Sequence, residues 1–423
     1  MSAPEAAVLA RRPATERPAH RDPNVLRWLA AYVASLLGDT VYFVALSWAA
    51  TQSGGPSQVG LVLAIGAVPR AVLMLGGGVV ADRLGPRRVV IGSDLVRCVV
   101  ILAAAGLLAF TAPGLWALAA IALVFGAVDA LFMPAVGALP PRITAPGQLA
   151  RVQGMRGMAS RTALIAGAPL GGMAVAFGGS AAAFAVAGAF FAGSLALLLA
   201  VRVAPLPTDA IGEAVTGKAA TTPWRDLADG LRYIRRHRLL APLVVAMAVG
   251  ELGFTGPMNV GLALLVQERG WGASGLGWII AGFGLGAGGA ALLVAVRRRL
   301  GRAGLLFSCF MAAGAVAVAA LAYVPTLAAA VAAGVAVGLT AGLSGTLNNA
   351  LIQTEADPAH LGRVTSVAML FTVGTAPLAY PLTGAAVGVW GPAPVFAASA
   401  AVIVTGAAIG LLTPPLRRAE LPS

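Results

Sequence analysis

Twelve stretches of about twenty consecutive, mostly apolar residues leave this chain very few folds to adopt. They run over 27–50, 58–80, 88–110, 114–138, 152–177, 181–202, 239–266, 274–296, 304–323, 326–350, 363–388 and 392–413. Each is long enough to cross a bilayer as a helix. Composition agrees, because 59% of the chain is apolar and only 11% charged, against roughly 45–50% and about 25% in a soluble domain. So little polar surface cannot cover so much apolar mass in water. The expected class is an all-α membrane protein of twelve transmembrane helices. Turn signals such as Gly54-Gly55-Pro56, Gly178-Gly179 and Trp390-Gly391-Pro392 separate the spans.

The formal charge of +13 could suggest nucleic acid, but its placement suggests membrane topology instead. Alternate loops hold Arg83, Arg87 and Arg88; Arg142 and Arg151; Lys218 to Arg238; Arg297 to Arg302; and Arg363. Both terminal segments join that side, with Arg11 to Arg27 and Arg417, Arg418. The opposite loops hold a single basic residue, Arg269. By the positive-inside rule both termini are expected in the cytoplasm. A lone Lys218 among 28 Arg points to a GC-rich bacterial genome, hence a bacterial cytoplasmic membrane. The basic run Arg232 to Arg238 reads as a surface stretch facing lipid headgroups. Cys98 and Cys309 sit far apart in apolar runs, and His20, His237 and His360 stand singly. Neither a disulfide, a metal site nor a cofactor is expected.

The spans fall into two groups of six, and the groups repeat. A shift of 212 residues carries Leu139, Pro146, Leu149, Arg151, Val152, Pro169, Leu170 and Gly172 onto Leu351, Pro358, Leu361, Arg363, Val364, Pro381, Leu382 and Gly384. The same shift lays Gly38-Asp39 over Gly250-Glu251. Two six-helix halves of like orientation imply a pseudo-twofold axis along the membrane normal, with a site between them at mid-membrane. The expected organisation is a disordered cytoplasmic tail (1–26), a first half (27–202), a cytoplasmic linker (203–238), a second half (239–413) and a short cytoplasmic tail (414–423).

After the second span the chain reads Gly78-Val79-Val80-Ala81-Asp82-Arg83-Leu84-Gly85-Pro86-Arg87-Arg88. This resembles the loop motif between helices 2 and 3 of the major facilitator superfamily, Gly-x-x-x-Asp-Arg-x-Gly-Arg-Arg/Lys, with Pro86 in place of its first Arg. Further segments resemble the macrolide-efflux and enterobactin-exporter branch of drug:proton antiporters: Leu37-Gly38-Asp39, Val68-Pro69-Arg70 and Ser93-Asp94-Leu95-Val96-Arg97. Gly167-Ala168-Pro169-Leu170-Gly171-Gly172 is similar to the antiporter motif, with shifted Pro spacing. The resemblance implies secondary transport by alternating access. It implies a gating role for Gly78, Asp82, Arg83, Gly85, Arg87 and Arg88, with Asp82 set against the start of the eleventh helix near Arg363.

Ionisable residues inside spans are functional candidates by default. Counted from the loops, Asp39 and Arg70 lie at similar depth, as do Asp129 and Arg161, so both are expected to pair. Asp94 and Arg97, three apart, share a helical face and can bridge. Glu251 has no basic residue at its depth in the second half. Hydrocarbon disfavours a lone ionised carboxylate, which suits a group that takes and releases a proton, so Glu251 and Asp39 are the expected proton-coupling residues. The repeat sets them opposite each other across the cavity.

The family's cavity-lining helices supply Tyr42, Phe132, Met133, Phe254, Met258, Asn259, Asn348, Asn349, Gln353, Met369 and Phe371 as cargo candidates. Such a wall suits a small amphipathic organic molecule, and its methionines adapt to varied shapes. Gly284-Leu285-Gly286-Ala287-Gly288-Gly289 fits a nucleotide-binding spacing but lies within a span, where glycines four apart serve helix packing. No Walker motif or catalytic constellation is present in the sequence. The expected function is proton-coupled drug export by a monomer with protons, lipid and a small molecule as its partners. Export of a siderophore or endogenous metabolite, nutrient uptake and a transport-inactive sensor are the alternatives.

Overall fold

The computed structural model describes residues 18–111, 114–203, 223–296 and 301–421, with side chains for all of these except 74–83, 146, 223, 224 and 226. Among the described residues, eleven helical runs are long and apolar enough to cross a membrane. One of them, Leu149–Leu199, has 51 residues. Straight, it would be about 75 Å long, twice what a bilayer needs. Gly178 leaves the helical region and Gly179 follows at φ 69°, so the run turns back on itself. That conformation suits only glycine. Twelve traverses result.

They are α1 (Pro23–Ser53), α2 (Pro56–Leu84), α3 (Pro86–Phe110), α4 (Leu115–Gly137), α5 (149–177), α6 (180–199), α7 (Leu240–Glu268), α8 (Gly272–Val296), α9 (Ala303–Tyr323), α10 (Leu327–Glu355), α11 (Leu361–Trp390) and α12 (Pro392–Leu412). Proline opens α1, α2, α3 and α12, where its missing N–H has no helical partner to lose. Asp22 caps α1 by accepting from the Asn24 N–H at 2.8 Å.

Order begins earlier than a tail ending at 26 would have it. Ala19–Arg21 form a short turn, and the Ala19 N–H reaches Gln148 Oε1 at 3.3 Å. Ala19 is also buried in a core with Val25 and Trp28, so short-range packing and hydrogen bonds hold a segment that has no long apolar run. Within 203–238, Pro223–Arg236 is a helix.

In the first half α2 packs on α4, α3 on α4, and both α1 and α3 on the α5–α6 run. The second half repeats this, with α8 on α10, α9 on α10 and α12, and α7 on α12. The halves meet through α2 with α11 and α5 with α8, which are equivalent pairs under the repeat. Gly172 and Gly384, partners in the 212-residue shift, both make this contact. Gly172 faces Ala273 and Ser274, and Gly384 faces Pro56 and Gly60. A Cβ at either position would meet backbone atoms of the other half. Both contacts join the halves at the end of the bundle away from the termini.

Candidate functional site

Five charged side chains from α1 to α4 converge in the first half, centred on Arg97. This residue is 1% exposed. Its guanidinium lies 2.6 Å from Asp129, 3.5 Å from Asp39 and 3.6 Å from Asp94. Arg70 reaches the other Asp129 oxygen at 3.0 Å. Ser35 and Ser194 both donate to Asp94, and Arg97 donates to Ser35. Phe132 lies under the guanidinium at 4.1 Å, with Phe125 and Phe191 farther out at 5.3 and 5.7 Å. These ring faces add attraction where water is excluded.

The pairing differs from the expectation drawn from depth. Asp39 binds Arg97 rather than Arg70, and Asp129 binds Arg70 and Arg97 rather than Arg161. Arg161 instead donates to the Ala287 carbonyl of α8, across the two halves. Depth sets which residues share a layer, whereas helix rotation sets which of them meet. The Asp94–Arg97 bridge forms as the three-residue spacing predicts. Sequence reasoning missed Arg97 as the hub, although it is the one span cation with an acid on its own helical face.

A cavity of about 460 Å³ lies between the halves. Arg70 and Asp129 form its link to the buried cluster, and Glu251, Thr255, Asn259 and Tyr380 stand on the other side. Tyr42, Phe254 and Met258 line it as expected, while Asp39 does not. The two repeat-related acids therefore do not face each other, because Asp39 is turned toward Arg97. Near Met258 and Asn259, α7 widens into a π turn at Pro257–Gly261. Pro257 has no N–H to give to the ladder. Glu251 makes no ion pair among the described residues, and its carboxylate accepts only from Thr255 Oγ1, at 3.3 Å.

A second cavity, about 470 Å³, lies inside the second half, and Glu251 and Phe254 form part of its wall too. It takes in Asn348, Asn349, Gln353 and Met369, so the expected cargo residues divide between two chambers. Three fall outside both. Phe132 is buried beneath Arg97, Met133 is 37% exposed and Phe371 packs into the second-half core.

Of the gating motif, Gly78, Asp82 and Arg83 belong to α2 by backbone, but their side chains lie outside the described residues, as do 297–300 of the matching loop. Gly85 links α2 to α3 at φ 84°. Arg87 donates to the Leu199 carbonyl at 3.3 Å, and Arg88 is exposed.

Solved structures share this fold at low sequence identity. The nucleoside transporter NupG superposes with a TM-score of 0.71 at 14% identity, covering 92% of this chain and 98% of that one. A bacterial homologue of the iron transporter ferroportin, in an inward-facing state, gives 0.65 at 17%, covering 92% and 97%. A POT family transporter in complex with 5-aminolevulinic acid gives 0.69 at 12%, covering 92% and 96%. These likenesses establish the fold. No curated protein matches the sequence. The Major Facilitator Superfamily model matches residues 28–371, which takes in the first half with its buried cluster and most of the second half. A polytopic helical chain with paired halves, a cavity between them and that match over most of its length belongs to the Major Facilitator Superfamily of transporters.

Proposed function

We propose that this transporter exports a small amphipathic organic compound in exchange for protons, with Glu251 as the coupling acid and Asp39 as a second titrating site. The observation that carries the reading is the position of Glu251. It stands in the cavity wall with one hydroxyl donating to it and no ion-pair partner among the described residues. A carboxylate placed there can hold a proton or a cationic cargo, and exchange of one for the other couples their movements. The first-half cluster supports the assignment of Asp39, because three carboxylates share two guanidiniums. Asp39 is the most loosely held, and its Oδ1 makes no hydrogen bond.

The mostly apolar cavity, with Phe254 and Met258 beside Asn259 and Tyr380, suits an amphipathic cargo. The solved relatives are named for a nucleoside transporter, an iron transporter homologue and a transporter holding 5-aminolevulinic acid, so the reading rests on this cavity and not on them. Charge sorting supports a bacterial cytoplasmic membrane with both termini inside. The end joined through Gly172 and Gly384 then faces outward, and the protein acts as a monomer.

Expression in a bacterium lacking its main efflux pumps tests the proposal. The protein should lower accumulation of at least one compound in a panel of fluorescent dyes and antibiotics. A protonophore, and separately Glu251→Gln, should raise it to the level of cells without the protein. Efflux that persists in Glu251→Gln would remove Glu251 from the mechanism. If the native protein reaches the membrane and yet lowers accumulation of no compound in the panel, uptake or a narrow endogenous cargo is favoured instead.

A further inference from the structure

The two halves share a repeat but treat their buried acid differently. In the first half, the space beside Asp39 is filled by Arg97, with Asp129 and Phe132 from α4 around it. The 212-residue shift converts Asp39 to Glu251, Asp129 to Ala341 and Phe132 to Ser344. The helices that supplied the cations, α2 and α3, correspond to α8 and α9, and neither of these contains a charged residue. The acid survives while every group that neutralised it is gone. The result is the 470 Å³ chamber, lined by Ala341 and Ser344 where the first half has its network. Met311 of α9 also lines it.

The hydroxyls of this chamber are spent as donors, while Asn349 and Gln353 bring amides that both donate and accept. The hydroxyls of Thr340, Ser344, Thr365 and Thr372 each donate to a carbonyl of their own helix, which leaves oxygen lone pairs for a guest. Asn348 Nδ2 donates to the Met247 sulfur at 3.2 Å. That contact fixes which way the amide points, since a thioether cannot donate. Asn348 Oδ1 is left buried with no hydrogen-bond partner, on a residue only 6% exposed. An unmade bond to a buried carbonyl is costly, and a donor arriving in the chamber would make it.

We infer that the second-half chamber is a binding site for an organic monocation carrying N–H donors, an ammonium with an apolar tail, held between Glu251 and Asn348. The guest occupies the place that Arg97 fills in the other half. Glu251 also faces the central cavity, and one carboxylate neutralises one cation. The two chambers therefore compete for it, and cargo passes between them rather than filling both. The inference rests on the reading of Glu251 as the exchangeable acid, and adds to it the place and chemistry of the guest.

Equilibrium binding tests this without requiring transport. Phenethylammonium and its N-trimethyl analogue would be titrated calorimetrically into the purified full-length protein. The N–H form should bind about tenfold tighter or more, as expected for hydrogen bonds to a charged donor, and saturate at one per chain. Asn348→Leu should erase that preference. At Gly345, a chamber-lining position, an added Cβ meets nothing within 4 Å. Gly345→Leu should therefore fill the space without unfolding the helix, and abolish binding. Equal affinity for the two probes, or native affinity in both variants, overturns the inference. If the probe binds as expected but the cells show no proton-dependent efflux, the site stands and the export reading fails. The converse result separates the two in the other direction.

Discussion

Arg97 is the residue on which the first half depends. Three carboxylates surround one fully buried guanidinium, and removing it leaves buried acids with only Arg70 to balance them. Breaking a buried pair from one side typically costs about 3–5 kcal/mol. Arg97→Met should therefore lower the detergent-solubilised melting temperature sharply, or abolish a monodisperse peak in size-exclusion chromatography. Asp39→Asn should behave in the opposite way. It brings the cluster to two acids and two bases, so it should melt no lower than the native protein while losing proton-dependent transport. A large fall in melting temperature for Asp39→Asn would show that Asp39 is a structural anion. The partners of these residues were only partly legible in the sequence. Spacing gave the Asp94–Arg97 bridge, because three residues on one helix fix a face. Asp39 and Asp129 found partners on other helices, whose rotation no count of residues from a loop can supply.

Among the elements, small residues set how closely helices approach. Glycines four apart in α8 were expected to pack helices, and Gly282 and Gly286 do press on Val331 and Val335 of α10. Gly284 faces Ile165 of α5, while Gly288 meets nothing. The same device joins the halves at the far end. Gly384→Leu would drive a side chain into the backbone of α2 at Pro56 and Gly60. We expect it to hold that end open, so that a cysteine at Asn259 becomes reactive to a membrane-impermeant maleimide from outside the cell. Unchanged labelling would mean that α5 and α8 close the end by themselves. The element pattern was largely written in the sequence, since apolar length and turn residues are local. The exceptions have local causes as well. The helix caps extend α1 to Pro23–Ser53, beyond its apolar core, and Pro257 imposes the π turn that hydropathy cannot register.

For the whole molecule, the repeat predicted two matched halves, and the matched contacts of Gly172 and Gly384 follow from it. The sequence also showed that Glu251 lacks a cation at its depth, but not that a chamber would stand there, because loss of Arg97's equivalent reads only as one more apolar helix. The unequal count of acids and bases has an electrical meaning. With every group ionised, the first-half cluster bears one net negative charge, and Glu251 adds another. The unloaded protein thus moves negative charge when it turns over in the membrane, and a protein holding protons or a cation moves less. A full elementary charge crossing the membrane is worth about 2.3 kcal/mol per 100 mV, enough to bias such a step strongly. Voltage should then act unequally on the two crossings of the exchange, most strongly on the one made with fewer bound protons or cations. Charge-displacement recordings on supported membranes should show smaller transients for Asp39→Asn than for the native protein. A cell that loses its membrane potential would stall this transporter facing one way, even with its cargo still plentiful.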